Sequence, residues 1–124
     1  MTEVSIPTFD ELMNPLIQAL RELGDSGTIE EIDTRTIEVA GLSEQQTEVL
    51  HKPEQGGGQT EVEYRLAWTR TYLKKYGLID NSTRGVWALT TEGRRVERVD
   101  PREVRRSVQR QSREAQVEPE DVEP

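Results

Sequence analysis

Cysteine is absent from this 124-residue sequence, which rules out a disulfide framework, a thiolate zinc site and a cysteine nucleophile. Histidine occurs once, as His51, so a histidine-rich metal site is excluded and a Ser-His-Asp triad is disfavoured. Hydrophobic residues make up only 32% and aromatic ones 5%, a thin supply for a core. Part of the chain is therefore expected to lie outside one. No apolar run approaches the ~18 residues of a membrane helix, and Met1 to Ser5 does not read as a signal peptide. The length suits one domain with a tail. What these absences leave is a small, soluble, cytoplasmic module.

Charge is abundant but uneven. The net charge of −8 divides into −9 over residues 1–60, +3 over residues 61–99 and −2 over residues 100–124. A basic middle is thus hidden inside an acidic total. The total opposes nucleic acid at long range, while a basic face can still act locally.

Helix starts are written plainly. Thr8-Phe9-Asp10-Glu11, Thr28-Ile29-Glu30-Glu31, Ser43-Glu44-Gln45-Gln46 and Thr60-Glu61-Val62-Glu63 each fit the reciprocal capping box. Asp100-Pro101 supplies an N-cap followed by proline at the first helical position. Gly24, Gly41 and Gly77 mark stops. These signals predict helices over about 8–23, 28–40, 43–50, 60–76, 91–99 and 101–114. Pro15 falls inside the first, so either that helix kinks or Asn14 caps a second start. Between Gly77 and Thr90 the pattern turns extended. Leu78-Ile79, a turn over Asn81–Gly85 and Val86-Trp87-Ala88-Leu89 predict a hairpin with Arg84 at its tip. The fold class that follows is mainly α (α+β): a winged helix-turn-helix with a β-hairpin wing and a C-terminal helix.

On the 60–76 helix, Val62, Leu66, Thr69, Leu73 and Tyr76 share one side, with Trp68 and Tyr72 at its edge. Glu63, Ala67, Arg70, Thr71 and Lys74 project from the other, where Arg70 and Lys74 suit phosphates or guanine edges. The plainer alternative is the solvated face of an ordinary amphipathic helix.

Three segments together resemble a known family. They are Ile6-Pro7-Thr8-Phe9-Asp10 followed by Pro15, the run Tyr64–Leu78 (YRLAWTRTYLKKYGL), and Arg84–Gly93 (RGVWALTTEG). In that order they resemble the N-terminal domain of Mrr-type restriction proteins, with its I/V-P-T-Y/F-D opening, R-x-x-W-A…L-K-K-A-G-L helix and R-G-x-W-x-L-T-x-x-G wing. The similarity covers residues 6–99. It implies the DNA-binding winged helix of a restriction endonuclease directed against modified DNA. It also implies a separate C-terminal nuclease domain of the PD-(D/E)xK class, which cuts DNA with a divalent metal. That class needs an acidic residue or glutamine two positions before a lysine. Lys52, Lys74 and Lys75 follow Leu50, Tyr72 and Leu73 at that spacing, so this chain writes no such motif. Two departures weaken the expected affinity: Ala88 and Glu92 stand where the family often has basic residues, and Glu61 and Glu63 place negative charge on the first turn of the reading helix.

Other candidates take structural roles on this reading. Trp68, Trp87, Tyr64 and Tyr72 fit a core better than a cage for a flipped base. Gly56-Gly57-Gly58 reads as a flexible link, since no Walker pattern follows it. His51 sits where it would meet a helix dipole, without a second metal ligand at matching spacing. In the C-terminal helix Arg102, Arg105, Arg106 and Arg113 cluster broadly on one side and suit a DNA backbone, against the plainer reading of a solvated helix leading into a linker.

The organisation expected is a tail at 1–5, a winged-helix domain at 6–99, a helix and linker at 100–115 and a disordered acidic tail at 116–124. Double-stranded DNA, modified or not, is the expected ligand, held by Arg70, Thr71, Lys74, Lys75 and Arg84 with Thr60 capping the reading helix. Lys75 lies off the main exposed face. No metal, cofactor or membrane is called for. A nuclease domain in cis or in trans and a second copy of the module are the protein partners implied. The competing reading is a protein-interaction or autoinhibitory module that docks a nuclease domain or partner subunit through the acidic surface of residues 1–60. A stand-alone enzyme fits neither the residue inventory nor the motifs.

Overall fold

The helix starts follow the capping chemistry. In the computed structural model, which describes residues 4–114, reciprocal capping boxes open α2 (Ile29–Ala40) from Thr28, α3 (Glu44–Glu48) from Ser43 and α4 (Glu61–Tyr76) from Thr60. Residues 1–3 of the expected tail at 1–5, and the whole expected tail at 116–124, lie outside the described residues. α1 runs Met13–Glu22, later than expected. Thr8 and Glu11 do exchange capping bonds, but they close the turn that precedes the helix. Pro15 is then the third residue of α1, where its missing N–H has no intrahelical partner to lose, so neither a kink nor a second cap is needed. Asn14 is spent elsewhere: its side-chain amide donates to the Val99 carbonyl at 3.0 Å, and its oxygen accepts from the Val99 N–H at 2.9 Å.

Three short strands complete the domain: β1 (Ser26–Gly27), β2 (Ile79–Thr83) and β3 (Val86–Leu89). They form an antiparallel sheet in the order β1-β3-β2, with Gly27 opposite Trp87 and Ile79 opposite Leu89. Helix α1, strand β1, helices α2 and α4, then the β2–β3 hairpin give an α+β winged-helix-like fold, as the sequence predicts. Between α2 and α4 lies an insertion. It holds α3 and then a loop that carries a short 3-10 turn at Pro53–Gln55 and is closed by the Leu50–Thr60 bridge. β1 escapes sequence reading because two residues carry no alternation.

The core is built from α1 (Met13, Leu16, Ile17, Leu20), Ile32 of α2, Val62, Leu66, Tyr72 and Leu73 of α4, and Leu78, Ile79 and Leu89 around the sheet. α5 (Thr91–Arg95) is shorter than the expected 91–99, and the chain turns extended at Val96. α6 (Pro101–Glu114) matches its expected span but not its expected role. Val104 and Val108 are fully buried, and Gln109 reaches the Tyr72 hydroxyl at 3.5 Å, so α6 packs on the domain instead of leading away as a linker.

Thr90 ties the wing to α4. Its hydroxyl donates to the Gly77 carbonyl at 2.6 Å and accepts from the Gly93 N–H at 3.0 Å, capping α5. Thr90→Ala is expected to cost about 1–2 kcal/mol through loss of that cap, measured as a shift in urea midpoint at constant m.

Candidate nucleic-acid interface

The outward side of α4 carries Glu63 and Lys74 exposed, with Ala67 and Thr71 half-buried between them. Thr60 behaves as expected of a cap: its hydroxyl accepts from the Glu63 N–H at 3.1 Å, and its own N–H donates to the Glu63 carboxylate at 2.9 Å. Glu63 is thereby committed to the cap. Thr71 donates its hydroxyl to the Ala67 carbonyl one turn back, at 3.0 Å. Lys75 is half-buried. Arg84 is exposed at the wing tip, beside Gly85 whose φ of 78° lets the hairpin turn.

Arg70 does not stand free. It is 6% exposed, and its guanidinium donates to Asp33 of α2 at 2.6 Å. The side chains of the pair are 7% and 13% exposed. Arg70 is therefore withdrawn from the set of candidate DNA contacts. The physical reason is that a helical projection sorts residues by angle alone. Arg70 lies on the flank of the outward face, and α2 covers that flank. Burial pushes the Asp33 carboxyl up to about 6, against the attraction and hydrogen bond of Arg70, while the Glu63 carboxylate adds to the rise. Asp33 is the partner the sequence analysis missed. No local pattern announces it, because the two residues are 37 apart in the chain and only the packing of α2 on α4 brings them together.

Trp87 on β3 connects the wing to this helix. The Arg70 guanidinium carbon and the Lys74 ammonium each lie 5.9 Å from its ring centroid. The other aromatics divide among separate contacts: Tyr72 packs on Phe9 with centroids 4.6 Å apart and has Trp68 at its edge, and Tyr64 stacks on His51. They form no common cage.

His51 lies past the end of α3 and meets no helix dipole there; it meets a carboxylate. Its Nδ1 is 2.8 Å from a Glu61 oxygen, and its ring stacks on Tyr64 at 3.6 Å. The other Glu61 oxygen accepts from Arg65 at 2.7 Å, and Arg65 donates onward to the carbonyls of Ile6 and Pro7. Burial works to raise the Glu61 carboxyl, but its bonds to His51 and Arg65 prevail and hold it below the usual range. This chain of contacts pins the insertion and the N-terminal segment onto the first turn of α4. Among the described residues no group of three or more His, Asp or Glu side chains is placed to hold a metal ion.

Of the remaining expected contacts, Lys74 is exposed on α4 and Arg84 at the wing tip, while Thr71 and Lys75 are half-buried. The family comparison agrees with the fold: the model of the Mrr N-terminal domain matches residues 9–98. The chain belongs to the Mrr N-terminal domain family. The Mrr N-terminal domain match takes in every element from α1 to α5 and ends before α6. Among curated proteins, the type IV methyl-directed restriction enzyme EcoKMrr of Escherichia coli (strain K12) is 25% identical over 91 residues, covering 73% of this chain and 28% of that protein. The chain thus spans little over a quarter of that relative's length. No solved structure matches it. Among the described residues no helix is long and apolar enough to cross a membrane.

Proposed function

We propose that this chain is the DNA-binding module of an Mrr-like restriction system. In this reading it acts in the cytoplasm and holds double-stranded DNA, including modified DNA, for a nuclease domain that acts in cis or in trans. The match of the Mrr N-terminal domain over residues 9–98 carries the reading, and a methyl-directed restriction enzyme among its relatives supports modified DNA as the target. In mechanism, α4 approaches the major groove with Thr71 and Lys74 leading. Arg84 touches the phosphate backbone from the wing, Lys75 lies at the margin, and Trp87 fixes the angle between helix and wing through its contact with Lys74. Thr60 contributes by capping the helix.

A second reading, a docking module for a nuclease domain or partner subunit, is favoured by the charge balance of this face. The Asp33 carboxylate cancels Arg70, and Glu63 shares the outward face with Lys74. Salt dependence separates the two. Matched methylated and unmethylated duplexes are titrated across a salt series with wild type and Lys74→Ala/Arg84→Ala. The DNA-binding reading expects the slope of log K against log salt to fall by about 2 in the double variant, since each phosphate contact adds about 0.9. Binding that ignores salt and the double substitution would transfer the case to docking.

A further inference from the structure

The C-terminal helix carries a second cationic surface, and the family match stops short of it. Buried Val104, Val108 and Ser112 fix which side of α6 faces the domain. At 100° per residue Arg102, Arg106, Arg110 and Arg113 fall within about 80° of one another on the opposite side. All four are exposed, and among the described residues their guanidiniums meet no protein acceptor. Arg105 is set apart: it leans inward, 3.5 Å from Asp10. The ridge from Arg102 to Arg113 runs about 16 Å along the helix axis.

We infer that this ridge binds the phosphate backbone of duplex DNA without regard to sequence, independently of α4 and the wing. Two features choose this occupant over a protein. First, the outward residues of α6 are arginine, glutamate, serine and glutamine, with no apolar side chain to form the dry centre a protein interface requires. Backbone contacts to DNA need no such centre. Second, the spacing suits a regular polyanion. A duplex carries one charge per about 1.7 Å of axis counted over both strands, so a stretch of this length presents roughly ten phosphates around its circumference, and the ridge meets the few on its own side. Guanidinium forks bind phosphate oxygens two at a time. Glu103 and Glu114 on the flank are the opposing charges, outnumbered along the ridge.

Position makes the surface independent. α6 packs on α4 beside Tyr72, which lies roughly 160° around the helix from Lys74. A duplex seated on Lys74 and the wing therefore does not cover the ridge, which is left for a separate stretch of duplex.

The test uses the full chain and a short fluorescein-labelled duplex of mixed sequence, read by anisotropy across a salt series. R102Q/R106Q/R110Q/R113Q is expected to lower the slope of log K against log salt by about 3–4, equally for duplexes of unrelated sequence. The four positions face solvent, so the circular dichroism spectrum should be unchanged. The matching arginine-to-lysine quadruple variant should restore most of the slope, because the point charge remains. With two independent seats, K74Q/R84Q should lower by about 2 the slope of the binding that remains in the ridge variant, and leave the ridge's own slope unchanged. If K74Q/R84Q has no effect while the ridge variant loses binding, the ridge stands and the α4 reading falls. An unchanged slope in the ridge variant, or no duplex binding by the full chain at low salt, overturns the proposal. So does a salt-sensitive self-association that the ridge variant abolishes while duplex binding is kept; the surface then belongs to a second copy of the chain.

Discussion

Gly93→Ala is expected to destabilise the domain by about 3 kcal/mol or more, with a fall in melting temperature of roughly 15 °C. A Cβ at this position would lie 2.0 Å from the Leu78 carbonyl oxygen, 3.0 Å from its carbon and 3.2 Å from a Leu89 methyl. The nearest atom is backbone, so no side-chain rotation relieves the overlap. The Leu78 carbonyl is itself held, because it accepts the Thr90 N–H at 2.9 Å where the wing closes. Either α5 lifts off or the root of the hairpin shifts, and both uncover buried Leu78 and Leu89. Gly58→Ala is the control: nothing lies within 4 Å of its added methyl, so its effect should stay within about 0.5 kcal/mol. Urea unfolding of the two variants beside wild type decides the matter. A loss under about 1 kcal/mol for Gly93→Ala would mean that α5 can move away from the sheet at little cost.

The same contact explains why some of the fold was legible in the sequence and some was not. Capping boxes involve residues three apart, so Thr28, Ser43 and Thr60 announced their helices without any tertiary knowledge. The wing segment from Arg84 to Gly93 was legible as a family pattern, and the structure supplies its physics. Gly85 turns the chain, Trp87 meets Arg70 and Lys74, Leu89 enters the core, Thr90 caps and Gly93 permits close approach. What the sequence hid depended on partners distant along the chain. Asn14 looked like a cap and instead bridges to Val99, 85 residues away. Val104 and Val108 were two apolar residues in an arginine-rich helix, and only the domain beneath shows that they are core. For the candidate site, Thr60, Lys74 and Arg84 occupy the positions their local patterns suggest. Arg70 does not, because its environment is set by α2.

Asp33→Ala should therefore be the second costly substitution, at about 3–5 kcal/mol, since it strands a buried guanidinium. The pH dependence supplies a finer check. The Asp33 carboxyl titrates at about 6 in the folded protein against an ordinary 3.8, so the folded state holds this proton more tightly than the unfolded one. Its contribution to stability is then fully present below pH 3.8 and lost as pH rises through about 6. Asp33→Asn cannot titrate there, so subtracting its profile isolates the effect. Relative to that variant, wild type should lose about 1–2 kcal/mol between pH 5 and pH 8 in urea unfolding. A flat difference would mean that Arg70 compensates the burial of Asp33 in full. The pair also bears on function. Arg70→Met/Asp33→Leu replaces it with apolar groups, and stability should then stay within about 1 kcal/mol of wild type or rise. Because Arg70 offers no exposed head to a ligand, duplex affinity and salt slope should be unchanged in this variant. A marked drop in affinity with the fold intact would show that the Arg70–Asp33 bond opens on binding, and would return Arg70 to the interface.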